Sequence, residues 1–339
     1  MARRRIIPMF VPHAGCPHQC VFCDQRSISG AAEPVTPRQA AAAVEQALRR
    51  SGPGAELAFY GGSFTAIDPA AQEALLAAAQ PFLADGRLGA LRCSTRPDAV
   101  DPAVIDRLRR YGVSTVELGC QSMDEAVLRA AGRGHTAADS RRAAALLHAA
   151  GIQVVTQMMT GLPGDSDGGA LATARALADL RPEGVRIYPT VVVEHTPLAA
   201  RWRRGDYQPQ SLDGAVTLCA ALWEQFRAAE IPVLRVGLNP GPALEAAVLA
   251  GPYHPAFGEL VLGRMFLCRA RPLLEPLRGS GRVTLAVAPR NVSRMTGQHR
   301  ANLLALQDEF SIKTLKIVPQ PLGEWEICLQ TQPAAGIVS

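Results

Sequence analysis

The 339-residue sequence predicts an α/β fold: a partial (β/α)6-type, TIM-like barrel of parallel strands followed by a small α+β unit. Three observations carry this. Six short runs, "RIIPMFV", "ELAFYGG", "ALRCST", "STVELG", "IQVVTQM" and "GVRIYPT", are nearly continuous in apolar residues, as in strands buried on both faces of a parallel sheet. Helical segments alternate with these runs up to about residue 190. From about residue 280 a second, shorter pattern of strand, helix, helix and strand begins.

The helices between the first strands carry their own start and stop signals. Thr36 before Pro37 fits an N-cap with proline at the first helical position and opens "RQAAAAVEQALRR". Asp101 before Pro102 does the same for "AVIDRLRRYG", which stops at Gly112. Thr136 opens "AADSRRAAALLHAAG", which Gly151 closes. After Pro189 a polar, turn-rich stretch, "EHTPLAARWRRGDYQPQSLDGAV", leads to the helix "TLCAALWEQFRAAEI" and the apolar run "PVLRVGL", which complete and cover the barrel. In the terminal unit "RVTLAVAP" reads as a strand, "NVSRMT" as a short helix, "GQHR" as a tight turn, "ANLLALQDEF" as a helix and "IKTLKIVP" as a strand, with "EWEICLQ" as one more. The expected organisation is residues 1–240 for the barrel with its cover, 241–279 for a helical connection and 280–339 for the small unit.

Composition narrows the function classes. No apolar run has the length of a membrane span, and Pro8 and Pro12 break the basic N-terminal stretch "MARRRIIPMFVP", which reads as a first strand rather than a signal peptide. A cytoplasmic protein without membrane contact is expected. Eight cysteines in a chain of this length do not form a disulfide framework, and Cys93, Cys120, Cys219, Cys268 and Cys328 read as small buried hydrophobes. The net charge is +5 and is carried by arginine, the only lysines being Lys313 and Lys316. Arginine suits phosphate contacts, so nucleic acid is an admissible partner.

The chemistry concentrates in "GCPHQCVFCD", where Cys16, Cys20 and Cys23 are spaced C-x3-C-x2-C. Zinc would require a fourth ligand, with His13 and His18 at hand, and no second C-x2-C pair is present. A 4Fe–4S cluster held by three thiolates leaves one iron open to a small molecule.

This spacing, with Phe22 before the last cysteine, resembles the cluster motif of the radical S-adenosylmethionine superfamily. The resemblance implies a 4Fe–4S cluster on Cys16, Cys20 and Cys23. Its open iron chelates S-adenosyl-L-methionine. Reductive cleavage of that cofactor gives a 5′-deoxyadenosyl radical that abstracts hydrogen from a substrate. "YGGSFT" resembles the glycine pair of the family, placing Gly61, Gly62 and Ser63 against the methionine moiety. "VELGCQS" implies Glu117, Gln121 and Ser122 near its ribose and methionine, "QMMTGLPG" implies a tight loop of Gly161, Pro163 and Gly164 beside its adenine, with Tyr188 of "IYP" lining the same pocket and Gln157 a further cofactor contact.

The block from "STRPD" through "RGHT", with "TGLPG" and "RIYPT", resembles the radical domain of the catalytic subunit of Elongator, a tRNA wobble-uridine modification enzyme. Matching landmarks run to about Leu234, and "GPYHPAFGELV" is shared with shorter bacterial proteins of that kind, which lack the acetyltransferase domain. The resemblance implies RNA, above all tRNA, as substrate, flavodoxin or ferredoxin as electron donor, and Arg96 and His135 on the rim of the active site. The terminal unit resembles a KH module, whose GXXG turn clamps single-stranded nucleic acid; here Arg300 replaces the second glycine. Gln298, His299, Arg300, Lys313 and Lys316, with Asn302, are its candidate RNA contacts. Two alternatives stand beside this assignment. One is a porphyrin-directed enzyme resembling coproporphyrinogen III oxidase, many of which carry a further cysteine where Gln25 stands here. The other is a non-catalytic iron–sulfur RNA-binding protein.

Overall fold

The structure is a computed structural model that describes residues 5–11, 20–24 and 35–330. Cys16, His13 and His18 lie outside the described residues. The chain divides into two compact units, Met1–Ala215 with Gln225–Pro255, and Val216–Glu224 with Ala256–Ser339. The expected connection 241–279 is thus shared: the helix Pro242–Ala247 stays with the first unit and the helix Phe257–Leu274 belongs to the second.

The first unit is built on seven parallel strands. They are β1 (Ile6–Phe10), β2 (Ala55–Tyr60), β3 (Leu88–Thr95), β4 (Val113–Gln121), β5 (Gln153–Thr160), β6 (Gly184–Pro189) and, after the two-residue β7 (Val192–Val193), β8 (Val233–Val236). Their order, β1-β2-β3-β4-β5-β6-β8, follows the chain. The sheet curls into a half-barrel with β1 and β8 at its edges. The seventh strand comes from "PVLRVGL", pairing Val185 with Val233 and Ile187 with Val236.

The helices that return the chain form where the capping signals stand. Thr36 accepts from the Gln39 amide in a full capping box, Asp101 accepts from Val104, and Thr136 accepts from Asp139. Gly112 and Gly151 end their helices with φ of 70° and 73°, a left-handed conformation without cost for glycine. The outward strand face and the inner helix faces form the core, in which Phe59, Leu57, Leu91, Leu118 and Met158 are fully buried. Each such side chain contributes about 1.5–3 kcal/mol by leaving water. Two elements were not foreseen in the polar stretch after Pro189. The helix Pro197–Arg203 starts at Thr196, whose hydroxyl accepts from Ala199. β7 pairs antiparallel with β9 (Val248–Ala250) in a ribbon too short to show periodicity.

The second unit has the sheet order β11-β10-β12, from β10 (Arg282–Val287), β11 (Thr314–Pro319) and β12 (Ile327–Leu329). β10 and β11 are parallel, and the crossover between them is the helix Val292–Thr296, the turn 297–300 and the helix Ala301–Glu309. Phe266, Ala270 and Leu274 of the long helix pack with Leu285, Val287, Leu306, Phe310 and Leu315 into its core. Cys93, Cys120 and Cys219 are buried as expected, but Cys268 is exposed, because its position falls on the outer side of that long helix.

Candidate active site at the carboxyl ends of the strands

Cys20 and Cys23 lie on one tight turn, closed by the Cys23 amide donating to the Cys20 carbonyl at 3.1 Å. Backbone bonds hold this turn on the barrel: Val21 donates to the Ala131 carbonyl, and Leu198 donates to the Val21 carbonyl. Phe22 packs against two buried clusters, one of Val127, Ala131 and Leu162 and one of Val21, Val192, Leu198, Ala199 and Tyr207. The aromatic before the last cysteine is therefore a packing anchor.

The segment after β4 explains the "GRGHT" block residue by residue. Gly132 and Gly134 take φ of 66° and 70°, which lets the chain turn twice around Arg133. Arg133 is 7 % exposed; it donates to Cys20 Sγ at 3.2 Å and to the Gly119 carbonyl at 2.6 Å. His135 Nε2–H donates to the Cys120 carbonyl at 3.1 Å, which fixes that tautomer and leaves Nδ1 buried as an acceptor without a partner among the described residues. Burial, then the charges of Arg133 and Arg96, push His135 down to about 4, so the ring is neutral. Thr136 caps the next helix.

Arg96 is buried at the end of β3, paired with Asp98 and donating to the Arg133 carbonyl. Its amide donates to Ser63 Oγ, which also meets Thr95 Oγ1 at 2.9 Å. Ser63 thus ties the β2 and β3 ends together. Gly61 takes φ of 98°, and a Cβ there would stand 3.3 Å from the Phe10 ring and the Val11 carbonyl. Gly62 follows in the same bend. Gln121 ends β4 after a register shift, at φ of 65°, with Oε1 buried and unmatched among the described residues. Ser122 meets Thr173 Oγ1 and accepts from the Asp124 amide, so it builds the turn.

Inside the half-barrel one carboxylate gathers the charges. Glu117 Oε1 accepts from Tyr60 Oη at 2.8 Å, Arg92 at 3.0 Å and Arg186 at 2.8 Å, and Oε2 accepts from Gln157 Nε2 at 2.9 Å. Arg92 also grips Glu56 with two bonds. Burial works against ionisation of Glu117, but Arg186, Tyr60 and Arg92 outweigh it and hold the carboxyl below its ordinary range. Tyr188 lies two residues beyond Arg186 on the same strand face, and burial first raises its hydroxyl. Arg92, Arg186 and Tyr60 were not singled out in the sequence, although a charge inside an apolar strand, as in "ALRCST" and "GVRIYPT", is itself a signal that a buried partner exists.

Gly161 follows β5 at φ of 71°, its carbonyl accepting from Tyr207 Oη at 2.6 Å. Gln210 packs over it and accepts from Thr160 Oγ1. Gly161, Tyr207 and Gln210, with Leu162, Asp165 and Asp206, line a cavity of roughly 290 Å³. Burial pushes Asp165 up to about 6, with Asp124 and Asp167 adding to the rise.

In the second unit Gln298, His299 and Arg300 are exposed on the turn 297–300. Arg300 stands at φ of 64°, the conformation a glycine would favour at this place. Gly297, at φ of 78°, leaves room for the Asn302 backbone nitrogen, 2.8 Å from where a Cβ would sit. Lys313 and Lys316 are exposed on and just before β11, and Asn302 is turned inward to the Gly263 and Arg294 carbonyls.

Among the described residues no group of three or more His, Cys, Asp or Glu side chains forms a metal site, the third clustered cysteine lying outside them. The residues present nevertheless fit a thiolate-held group. Two thiols share one turn, and Arg133, which touches one of them, has Nε buried without a partner among the described residues, as are Gln121 Oε1 and His135 Nδ1. Buried polar atoms left unmatched mark a place for a ligand.

Two sequence families match this chain: the Radical SAM superfamily over residues 10–177 and the Radical_SAM C-terminal domain over residues 182–266. The chain belongs to the radical S-adenosylmethionine superfamily, a family of enzymes that use a 4Fe–4S cluster and S-adenosylmethionine. Within it the chain is homologous to the radical domain of the Elongator catalytic subunit and its relatives. It is 30% identical over 246 residues to the tRNA uridine(34) acetyltransferase of Methanocaldococcus jannaschii, covering 60% of this chain and 45% of that protein. It is 38% identical over 129 residues to the protein of that name from Dehalococcoides mccartyi (37% and 28%), and 31% identical over 167 residues to Elongator complex protein 3 of Saccharomyces cerevisiae (45% and 30%). The chain spans less than half the length of these relatives. The solved structure of the archaeal Methanocaldococcus infernus Elp3, lacking an N-terminal stretch, shares the fold with a TM-score of 0.61 at 24% identity, covering 77% of this chain and 62% of that one.

Proposed function

We propose that this radical S-adenosylmethionine enzyme modifies RNA, with tRNA as its substrate class. The observation that carries the site is the turn of Cys20 and Cys23, held by backbone bonds of Val21 to Ala131 and Leu198 and touched at Cys20 by the buried Arg133. With Cys16, these thiolates hold the 4Fe–4S cluster. When bound and reduced, the cluster and S-adenosylmethionine together supply a 5′-deoxyadenosyl radical for hydrogen abstraction. The chain's own groups do the rest. Gly61 and Gly62 keep side chains away from the cofactor's methionine end, so that backbone carbonyls approach it. Gln121 and Ser122 would hold its ribose, and the Gly161 loop and Tyr188 its adenine, with Gln157 a further cofactor contact. Arg96 holds the rim by gripping Asp98 and the Arg133 carbonyl. Glu117 orders the lumen that faces the substrate.

RNA as substrate is supported by the tRNA-modifying relatives and by the second unit. There a strand–helix–helix–strand core exposes Arg300 on a tight turn and Lys313 and Lys316 just before and on β11. Flavodoxin or ferredoxin supplies the electron, in the cytoplasm; no helix among the described residues is long and apolar enough to cross a membrane.

Nucleoside mass spectrometry tests this. The reconstituted, reduced protein, given S-adenosylmethionine and a tRNA pool, is expected to produce a changed nucleoside, with 5′-deoxyadenosine formed alongside. RNA binding is expected to weaken with salt and to weaken further in Arg300→Ala and Lys316→Ala. Turnover of a porphyrinogen with an unchanged RNA pool would replace the RNA assignment.

A further inference from the structure

Arg133 is a buried charged side chain in contact with a clustered cysteine. Its guanidinium is anchored from several directions. One arm donates to Cys20 Sγ at 3.2 Å and the other to the Gly119 carbonyl at 2.6 Å. Its own carbonyl accepts from Arg96, which Asp98 holds in turn. Gly119 makes this possible, since a Cβ at that position would lie 3.3 Å from the guanidinium and 3.0 Å from the Gln121 amide. A buried cation is costly unless something negative lies beside it. Among the described residues no carboxylate is paired with Arg133; its side-chain partners there are a carbonyl dipole and the sulfur. A Cys20 thiolate would supply the missing charge.

We propose that Arg133 is a positioning residue for Cys20: it orients the sulfur toward the cluster and, by donating to it, raises the cluster's reduction potential. This rests on Cys20 being a cluster ligand. The electrostatics fix the sign. One-electron reduction adds a negative charge to the cluster, and a fixed cation at the ligand sulfur favours the reduced state. An N–H bond to that sulfur also withdraws electron density from the iron. Both effects move the potential upward. Lysine in place of Arg133 keeps the charge but lacks the planar fork that spans the sulfur and the Gly119 carbonyl.

The test is a redox titration of the anaerobically reconstituted protein, with mediators and dithionite as the one-electron reductant, followed by electron paramagnetic resonance. Iron and sulfide per chain are measured first. Wild type, Arg133→Lys, Arg133→Met and Gly119→Ala are compared. The expected midpoint potentials fall in the order wild type, Arg133→Lys, Arg133→Met. Gly119→Ala is expected below wild type, because it displaces the guanidinium without removing it. If Arg133→Met does not fold, as judged by circular dichroism, Gly119→Ala and Arg133→Lys carry the comparison. Equal potentials at equal iron content overturn the role of Arg133 while leaving Cys20 as a ligand. A wild-type protein that takes up no iron–sulfur cluster overturns the ligand assignment, and this inference with it.

Discussion

His135 is 3 % exposed, bonded to the Cys120 carbonyl and within the field of the Arg133 and Arg96 guanidiniums, which Asp98 partly offsets. Its ring titrates near 4 in the fold against 6.5 in the unfolded chain. Between those values the unfolded state binds a proton that the folded state does not, so the contribution is full above pH 6.5 and is lost as pH falls toward 4. The loss reaches roughly 3 kcal/mol at most. Urea unfolding across this window is expected to show a shallower acid dependence in His135→Gln, which keeps a donor for the Cys120 carbonyl. Parallel pH profiles for the two proteins would refute the neutral ring. Glu117 gives a second residue-scale expectation. Glu117→Ala leaves Arg186 without its counter-charge, and removing one partner of a buried pair costs about 3–5 kcal/mol. The midpoint of urea unfolding is expected to fall sharply, whereas Glu45→Ala, which removes an exposed partner of Arg87, is expected to change it by less than about 1 kcal/mol.

At the scale of elements, the turn 297–300 has a testable strain. Arg300 holds φ of 64° and His299 φ of 51°. A left-handed non-glycine residue costs on the order of 1 kcal/mol. Arg300→Gly is expected to leave thermal unfolding unchanged or to raise its midpoint slightly while weakening RNA binding. Gly297→Ala is expected to lower the midpoint, because its Cβ meets the Asn302 backbone. Opposite shifts would mean that the turn is not held as described. The same scale shows what was legible in the sequence. Thr36, Asp101 and Thr136 sit at helix starts because a cap is a local device, readable from neighbours along the chain. The six apolar runs became strands for the same local reason. The grouping of Glu117 with Tyr60, Arg92, Gln157 and Arg186 was not legible, since it joins five strands and depends on register. The Arg133–Cys20 contact was hidden likewise, its partners being 113 positions apart in the sequence. The β7–β9 ribbon escaped because two- and three-residue strands have no period to read.

At the scale of the whole molecule, the half-barrel places at its carboxyl ends a two-thiol turn, two glycine-shaped loops and a set of unmatched polar atoms. In the proposed reading this arrangement holds the 4Fe–4S cluster and S-adenosylmethionine that the family uses. The central claim is that this chain cleaves that cofactor reductively through its clustered cysteines. The most direct measurement is 5′-deoxyadenosine formed by the anaerobically reconstituted chain on addition of S-adenosylmethionine and dithionite. Formation in the wild type, and its loss together with the cluster in Cys20→Ala and Cys23→Ala, is the predicted result. A fully loaded, reducible cluster that never yields 5′-deoxyadenosine, or undiminished cleavage in the cysteine variants, would contradict it.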